Sequence, residues 1–446
     1  SWLSEKSTSG AIIGGAGNFV SNTITTARGS VATSGYNYDS GLLSFFGRVN
    51  YGYKDRYLVS VSARSDASSK FAKSKRVGVF PSLSVGWNIH NESFFKSNII
   101  SQAKLRGSYG ELGANFIPPY SFVSTIRATV PVTLGDQSRS MGTITELANP
   151  DLKWETSKTY DIGVDLSFFK NKLSFSADYF YKDNVDLLAG LTPPPSSGRG
   201  LDIASSSYFV NSANVRNNGL EFSLTYHKSS GKFTYNVTAN LSHVSNKVVS
   251  LGTNVQPILG FAYSGSFSDS PTITKPGLPI GVFWGYKTDG VYQKDSDVPQ
   301  TGVEKGKKAG DLKFVNTNGD NVVDVNDKTV IGSPFPDFEY GLNFSGNYGN
   351  FDMTIYLVGS QGNSIFNSSK YTSYFLTTKA KTSDVLNAWT PTNTNTNLPR
   401  ITTASAMGGN ALPNSFYVED GSYLRLKNFQ VGYTVAKGMF KKLPLE

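Results

Sequence analysis

From Tyr160 to Tyr181 the chain spells out a complete β-hairpin. Tyr160, Ile162, Val164, Leu166 and Phe168 alternate with Asp161, Gly163, Asp165 and Ser167. Lys170-Asn171-Lys172 follows as a short polar turn, and Leu173, Phe175, Ala177, Tyr179 and Tyr181 then alternate with Ser174, Ser176 and Asp178. A period of two means strands with one apolar and one wet face. Strands of about ten residues, with short turns at one end and long loops at the other, predict a transmembrane antiparallel β-barrel.

The pattern recurs. Phe45, Gly47, Val49, Tyr51 and Tyr53 run to a turn at Lys54-Asp55-Arg56 and resume at Tyr57, Val59, Val61 and Ala63. A second pair runs from Val79 through Trp87 and Ile89 and returns from Ala103 to Tyr109, its Asn91-to-Ser101 connection long enough for a helical turn. Leu220, Phe222, Leu224 and Tyr226 turn at Lys228 to Gly231 and return through Phe233, Tyr235, Val237, Ala239 and Leu241. Tyr340, Leu342, Phe344 and Tyr348 turn at Gly349-Asn350 into Phe351, Met353, Ile355 and Leu357, and Tyr423 to Tyr433 reads as a last strand without a partner. About eleven strands result, joined at the other end by long segments near 65–78, 112–156, 183–216, 246–338 and 359–420. These are rich in Ser, Thr, Asn, Gly and Pro, as in Pro193-Pro194-Pro195-Ser196-Ser197-Gly198. In a compact soluble domain such loops would count against the assignment; on one rim of a barrel they are extracellular loops.

Composition agrees. With 38% hydrophobic residues and no run of about 18–20 apolar residues, no transmembrane helix is available. A barrel needs only every second residue of each strand to face lipid, and its interfaces call for aromatic girdles, which 24 Tyr and 29 Phe can supply. The absence of cysteine excludes disulfides and thiolate chemistry. The net charge of +9 is spread without a basic run, which favours anionic lipid headgroups over nucleic acid. Ser1-Trp2-Leu3 does not open a signal peptide and Phe440 to Glu446 is not a closing strand, so a processed or truncated chain is expected. An odd, open set of strands would leave two unpaired edges in lipid, at several kcal/mol per unmet backbone group. The rest of the barrel is therefore expected from residues outside this sequence.

Several blocks carry a resemblance. They are Phe46-Gly47-Arg48-Val49-Asn50-Tyr51 with Lys54-Asp55-Arg56-Tyr57-Leu58, Phe80-Pro81-Ser82-Leu83-Ser84-Val85-Gly86-Trp87, and Lys104-Leu105-Arg106-Gly107-Ser108-Tyr109-Gly110. Asn149-Pro150-Asp151-Leu152-Lys153-Trp154-Glu155, Gly310-Asp311-Leu312-Lys313-Phe314 and Gly421-Ser422-Tyr423-Leu424-Arg425-Leu426-Lys427-Asn428 follow in order. Over nearly the whole chain this resembles the barrel portion of a SusC/RagA-type TonB-dependent outer-membrane transporter of Bacteroidetes. The resemblance implies a roughly 22-stranded barrel, with an N-terminal plug, a TonB-engaging segment and last strands that this chain does not contain. It also implies a SusD-like surface lipoprotein as lid, oligosaccharide or oligopeptide cargo, energy through TonB, and no enzymatic activity.

Asn316 to Asp327 is the sharpest local motif. Oxygen side chains at Asn316, Asn318, Asp320, Asp324 and Asp327, with the Val322 carbonyl between them, follow the spacing of a calcium loop, making Ca2+ a candidate ligand. Asn316 stands where Asp is usual, Asn321 replaces the turn glycine, and Asp327 is shorter than the usual Glu; Asn tolerates positive φ, so the turn can survive. The alternative is a metal-free loop of Asx turns. His90, His227 and His243 lack ligand spacing, and Asp161 and Asp165, on one strand face, read as lumen wall rather than as a catalytic acid pair. Phe261-Ala262-Tyr263, Phe283-Trp284-Gly285-Tyr286 and Tyr371 to Phe375 could stack on cargo; packing the loops together is the favoured expectation.

Three classes compete: an active importer, a passive barrel or surface adhesin without TonB coupling, and a soluble β-rich glycan-degrading enzyme. The enzyme predicts inward apolar sheet faces and short turns at both ends, against the asymmetry seen here.

Overall fold

The computed structural model describes residues 2–14, 31–135, 137–146, 148–191, 208–252, 256–260, 269–375, 381–402 and 408–435. Its main element is one antiparallel sheet of twelve strands in which sequential strands of the sheet are neighbours. They are β1 (Trp2–Gly14), β2 (Val31–Tyr53), β3 (Tyr57–Ser68), β4 (Val77–Asn88), β5 (Ile100–Ala114) and β6 (Glu155–Phe168). After these come β7 (Leu173–Leu191), β8 (Tyr208–Ser230), β9 (Phe233–Ser250), β10 (Phe338–Tyr348), β11 (Phe351–Gln361) and β12 (Tyr423–Tyr433).

The tight turns sit where the alternation breaks. Lys54 and Asp55, in the three-residue turn Lys54-Asp55-Arg56, both take positive φ (51° and 53°), which matches the twist of the flanking strands. Gly349 does the same at φ 59°. The turn expected over Lys228 to Gly231 is shorter: β8 runs on to Ser230, and Gly231, at φ 59°, makes the corner. Between β4 and β5 a single 3-10 turn, Ile89–Asn91, supplies the helical element.

Three expectations change. Trp2–Gly14 is a twelfth strand, paired along its whole length with β2; its sequence lacks clean alternation, so periodicity could not find it. The last strand has a partner, since β12 pairs with β11 from Phe351↔Tyr433 to Ser360↔Tyr423. The long connections are also less irregular than their composition suggests. β2, β7 and β8 run for 23, 19 and 23 residues, well beyond a bilayer crossing of about ten, and Thr125–Leu134 pairs with Gln137–Glu146 as a separate hairpin. The Pro193–Gly198 tract lies outside the described residues.

Register separates the two faces. Val49, Val61, Leu83, Tyr109, Tyr160 and Tyr181 form one cross-strand row, and Val49 is 70% exposed. An apolar face this bare and continuous requires lipid rather than water. Aromatics gather at both ends of it. Tyr57 stacks on Trp87 at 6.5 Å and Phe351 meets Tyr433 at 4.7 Å near the tight turns. Tyr109, Tyr160 and Tyr181 form the other group, with Arg216 4.8 Å over the Tyr181 ring. The opposite face carries the row Arg48, Ser62, Ser82, Gly110, Thr159, Lys182 and Asn217. β1 and β12 are the open edges of the sheet.

Candidate functional site: the polar wall and the loop cap

The polar face is organised by Arg106. Its guanidinium lies 3.5 Å from Asp161, 3.1 Å from Asp165 and 2.5 Å from Asp178, spanning β5, β6 and β7, and its Nη2 also donates to Ser176 Oγ at 3.2 Å. Gly163 permits this reach. It sits between Arg106 and Asp178 in register, and a Cβ there would lie 2.6 Å from the Arg106 Cζ. Asp161 and Asp165 are thus arms of one ion cluster on the wall, as a lumen-lining role requires, and not a free acid pair.

Nearer the long-loop end, a cleft of about 960 Å³ opens on the same face. Phe46, Arg48, Ser62, Arg64, Phe80 and Ser82 contribute to its lining. Arg64 is held by Asp66 through Nε at 2.7 and 2.8 Å, and its Nη2 donates to Ser44 Oγ at 3.2 Å. The cleft is closed above by an apolar cluster of Phe71, Phe80, Ile117, Leu152 and Trp154. Here the Asn149–Glu155 block finds its purpose: the Trp154 ring meets Phe71 at 5.3 Å and Phe80 at 5.5 Å, while its Nε1 donates to the Arg76 carbonyl at 2.8 Å. Asn211 clamps the same block, accepting from Lys153 N at 2.9 Å and donating to the Lys153 carbonyl at 2.8 Å.

The two longest connections, 251–337 and 362–422, interlock into a cap. Tyr286 N donates to the Pro413 carbonyl at 3.0 Å, Ser415 N to the Tyr286 carbonyl at 2.9 Å, and Leu312 N to Asn410 Oδ1 at 2.9 Å. Asp311 accepts from Arg400 Nε at 2.8 Å and from Asn410 Nδ2 at 2.8 Å. Gly310 takes φ 86° with the Trp389 ring against its Cα, so a side chain there would meet both strain and a clash. Tyr286 stacks on Phe314 at 4.8 Å, almost parallel at 1°. Around them pack Val291, Leu312, Val323 and Trp389. Burial pushes the Tyr286 phenol up to about 12.

Inside this core Glu304 and Lys307 form an ion pair of 2.8 Å with both side chains fully buried. Glu304 also accepts from Phe314 N at 3.0 Å; Lys307 donates to the Leu312 carbonyl at 2.7 Å and lies 3.3 Å over the Phe314 ring. Burial brings the ammonium down to about 8, with Glu304 opposing. A second cluster joins Tyr371, Tyr374, Phe375 and Tyr417. The loop aromatics Tyr286 and Tyr371 to Phe375 therefore pack the cap, and Phe283 lies against Phe366 at 5.7 Å. Phe261-Ala262-Tyr263 lies outside the described residues.

The Asn316–Asp327 loop is a chain of Asx turns. Asn316 Oδ1 accepts from Gly319 N at 2.6 Å, Asn318 Oδ1 from Asp320 N at 3.0 Å, Asp320 Oδ1 from Val322 N at 3.0 Å, and Asp324 Oδ1 from Asn326 N at 2.7 Å. Asn321 takes the left-handed turn at φ 68°, as the sequence suggested. Asp327 is fully buried and closes the loop. Its Oδ1 accepts from Thr317 N and Asn318 N at 2.6 and 3.2 Å, and its Oδ2 from Asp324 N at 2.9 Å. Burial works to raise the Asp327 carboxyl, but these donors outweigh it and hold the group below the usual range. All six candidate ligand positions are in one loop, while among the described residues no three His, Cys, Asp or Glu side chains converge on a metal-sized site. For Asp327 to be a full ligand it would have to share oxygens already committed to the backbone. His90 and His243 are spent on the carbonyls of Ala103 and Asp337 at 3.0 and 2.6 Å.

One feature escaped the sequence reading. The β3–β4 connection carries Lys70, Lys73, Lys75 and Arg76 and no acid between Ser69 and Arg76. Lys70 Nζ reaches the carbonyl of Asn115, a residue of the cleft lining, at 3.4 Å. Charge counted within one connection, rather than along the whole chain, would have found it.

A family model described as the β-barrel of TonB-dependent-receptor-like proteins matches residues 8–443. The chain is 36% identical over 443 residues to TonB-dependent receptor P3 of Formosa agariphila, covering 97% of this chain and 43% of that protein. It is 28% identical to TonB-dependent receptor SusC of Bacteroides thetaiotaomicron, covering 88% of this chain and 38% of that protein. The chain thus spans about two-fifths of the length of these relatives. The solved RagAB peptide transporter superposes with a TM-score of 0.76 at 21% identity, over 95% of this chain and 44% of that one.

Proposed function

Because this chain belongs to the family of TonB-dependent-receptor-like β-barrels, we propose that it forms part of an active importer of large nutrients, oligopeptides or oligosaccharides. The family resides in the bacterial outer membrane, and the named relatives are receptors rather than enzymes. In this reading β1 and β12 pair with further strands of the whole transporter, a plug occupies the lumen against the Arg106 wall, and a segment elsewhere engages TonB. A SusD-like lipoprotein closes over the cap. The peptide cargo named for RagAB supports the oligopeptide alternative.

The observation that carries the reading is the asymmetry. One end of the sheet has short turns, apart from the 89–99 connection between β4 and β5, while the other bears two much longer connections with their own cores, buried ion pair and cross-connections. A passive pore has no use for a folded, interlocked cap. The test is uptake of fluorescent oligopeptides and oligosaccharides by cells carrying the whole protein, with and without a protonophore. Uptake abolished by the protonophore supports energised import; uptake indifferent to it leaves a passive barrel.

For the 316–327 loop we propose weak Ca2+ binding, through Asn316, Asn318, Asp320, the Val322 carbonyl and Asp324, with Asp327 as the closing residue. The Asx turns use one lone pair on several of these oxygens and leave others available. Calorimetric titration of the chelator-treated whole protein with calcium tests it: no saturable heat at about millimolar calcium rejects the site.

A further inference from the structure

We propose that the cleft beneath the Phe71–Trp154 cluster is a subsite for a carboxylate group of the cargo, with Arg48 as its anchor. The inference rests on the import reading and deepens it.

Arg48 and Arg64 occupy diagonal positions on β2 and β3, since Arg48 faces Ser62 and Phe46 faces Arg64. Such diagonal neighbours lie about 7–8 Å apart, within reach of long side chains. Two guanidinium groups within reach of one another repel unless compensated. Asp66 compensates one of them, fixing Arg64 through Nε. Among the described residues the Arg48 side chain makes no hydrogen bond and no ion pair, although it lines the cleft. The pair therefore presents one uncompensated positive charge to the lumen, next to an Arg64 already held in position. A guanidinium fork is matched to a carboxylate, which it binds through two parallel charge-assisted bonds.

The approach to the cleft carries the same sign. Lys70, Lys73, Lys75 and Arg76 stand on the β3–β4 connection. The structure ties that connection to the cleft: Lys70 Nζ to the Asn115 carbonyl, Asn115 Nδ2 to Ser68 Oγ at 3.0 Å, and Arg76 through Trp154 Nε1. None of these four cations is ion-paired among the described residues. A group of like charges beside a cleft raises the local concentration of anions and speeds their entry. Phe46 and Phe80 supply apolar faces beside the cations, so the occupant is an anionic oligomer with an apolar face, not a bare inorganic ion.

The experiment uses the whole transporter in detergent with its natural partners. Fluorescence anisotropy measures binding of tetragalacturonate and its methyl ester, and of a tetraglutamate peptide and its glutamine counterpart. The two pairs separate a glycan carboxylate from a peptide carboxylate. At least one acid is expected to bind ten-fold or more tightly than its neutral counterpart. Arg48→Gln is expected to remove that preference, and Arg48→Lys to restore part of it. Folding of each variant is checked by the heat-dependent gel shift of an intact barrel. Equal binding of acid and neutral probes to the unmodified transporter overturns the proposal, as does an acid preference that survives Arg48→Gln. Protonophore-sensitive uptake that ignores Arg48 would sink this subsite and leave the import reading intact. Uptake indifferent to the protonophore, together with an Arg48-dependent preference, would do the reverse.

Discussion

Neutralising one partner of the buried Glu304–Lys307 pair should do far more damage than neutralising both. Each side chain is fully buried, and each has a second job: Glu304 accepts from Phe314 N, and Lys307 donates to the Leu312 carbonyl. Lys307→Met leaves a carboxylate with no counter-charge in the cap core; Glu304→Gln leaves the ammonium in the same position. Removing one member of such a pair costs about 3–5 kcal/mol, while replacing both by neutral residues of similar volume is often neutral or stabilising. The assay is hydrogen exchange of the Leu312–Phe314 amides in the folded protein, corrected for intrinsic rates. Either single substitution should speed exchange by roughly two to three and a half decades, since ~1.4 kcal/mol is tenfold. The Glu304→Gln/Lys307→Met double variant should stay within about tenfold of the original, a margin of ~1.4 kcal/mol.

The pH dependence gives an independent check on the same pair. Lys307 titrates near 8 in the folded cap against 10.5 when unfolded, because burial disfavours its charge more than Glu304 favours it. Between those two values the unfolded state binds more protons, so cap stability rises with pH from about 8 to 10.5. The double variant should lose this slope. Lys307→Met exchanging like the original, or a double variant as labile as the singles, would refute an ionised pair and leave a neutral hydrogen bond.

Three further outcomes follow from the geometry. Gly163→Ala should displace Arg106 from Asp178 and cost about 1–3 kcal/mol as overpacking, read as a lower temperature for the heat-dependent gel shift; an unchanged shift temperature would mean that the cluster can rearrange freely. Trp154→Ala should cost about 3–5 kcal/mol locally, opening the Asn149–Glu155 block to limited proteolysis while the sheet stays intact. Asp327→Asn weakens the acceptor for Thr317, Asn318 and Asp324 amides. Because the Asp327 carboxyl is held below its ordinary value, its contribution is present above about pH 4 and lost as pH falls through the folded value. Pepsin should therefore cut the original loop only in strong acid, and the Asn variant at higher pH as well.

How much of this was legible depends on what each residue faces. Strands bordered by lipid on one side and a wet lumen on the other must alternate, so β3, β6, β9 and β11 could be read from periodicity alone. β1 could not. Ser4, Glu5, Lys6, Ser7, Thr8 and Ser9 lack the alternation, and its assignment rests on pairing with β2, a long-range contact that leaves no mark in a single sequence. The distal halves of β2, β7 and β8 were hidden for a related reason. Beyond the aromatic row both faces can be polar, so period two fades although the ladder continues.

The resemblance blocks show the same physics from the other side. In the strands, many apolar residues could replace one another on a lipid face, and little there specifies a particular side chain. The Gly310–Phe314 block has no such freedom. Gly310 needs positive φ against Trp389, Asp311 holds Arg400 and Asn410, and Leu312 and Phe314 fill the cap core while their backbone groups meet the buried Lys307 and Glu304. Asn149–Glu155 is constrained in the same way by Trp154 and by the Asn211 clamp. These two blocks therefore fix the cap and the roof of the cleft, while the other resemblance blocks lie in or beside strands of the sheet. Arg48 is different, because nothing in the described fold requires a cation at its position. A charged side chain that the described residues do not use is the place to test for what the whole transporter carries.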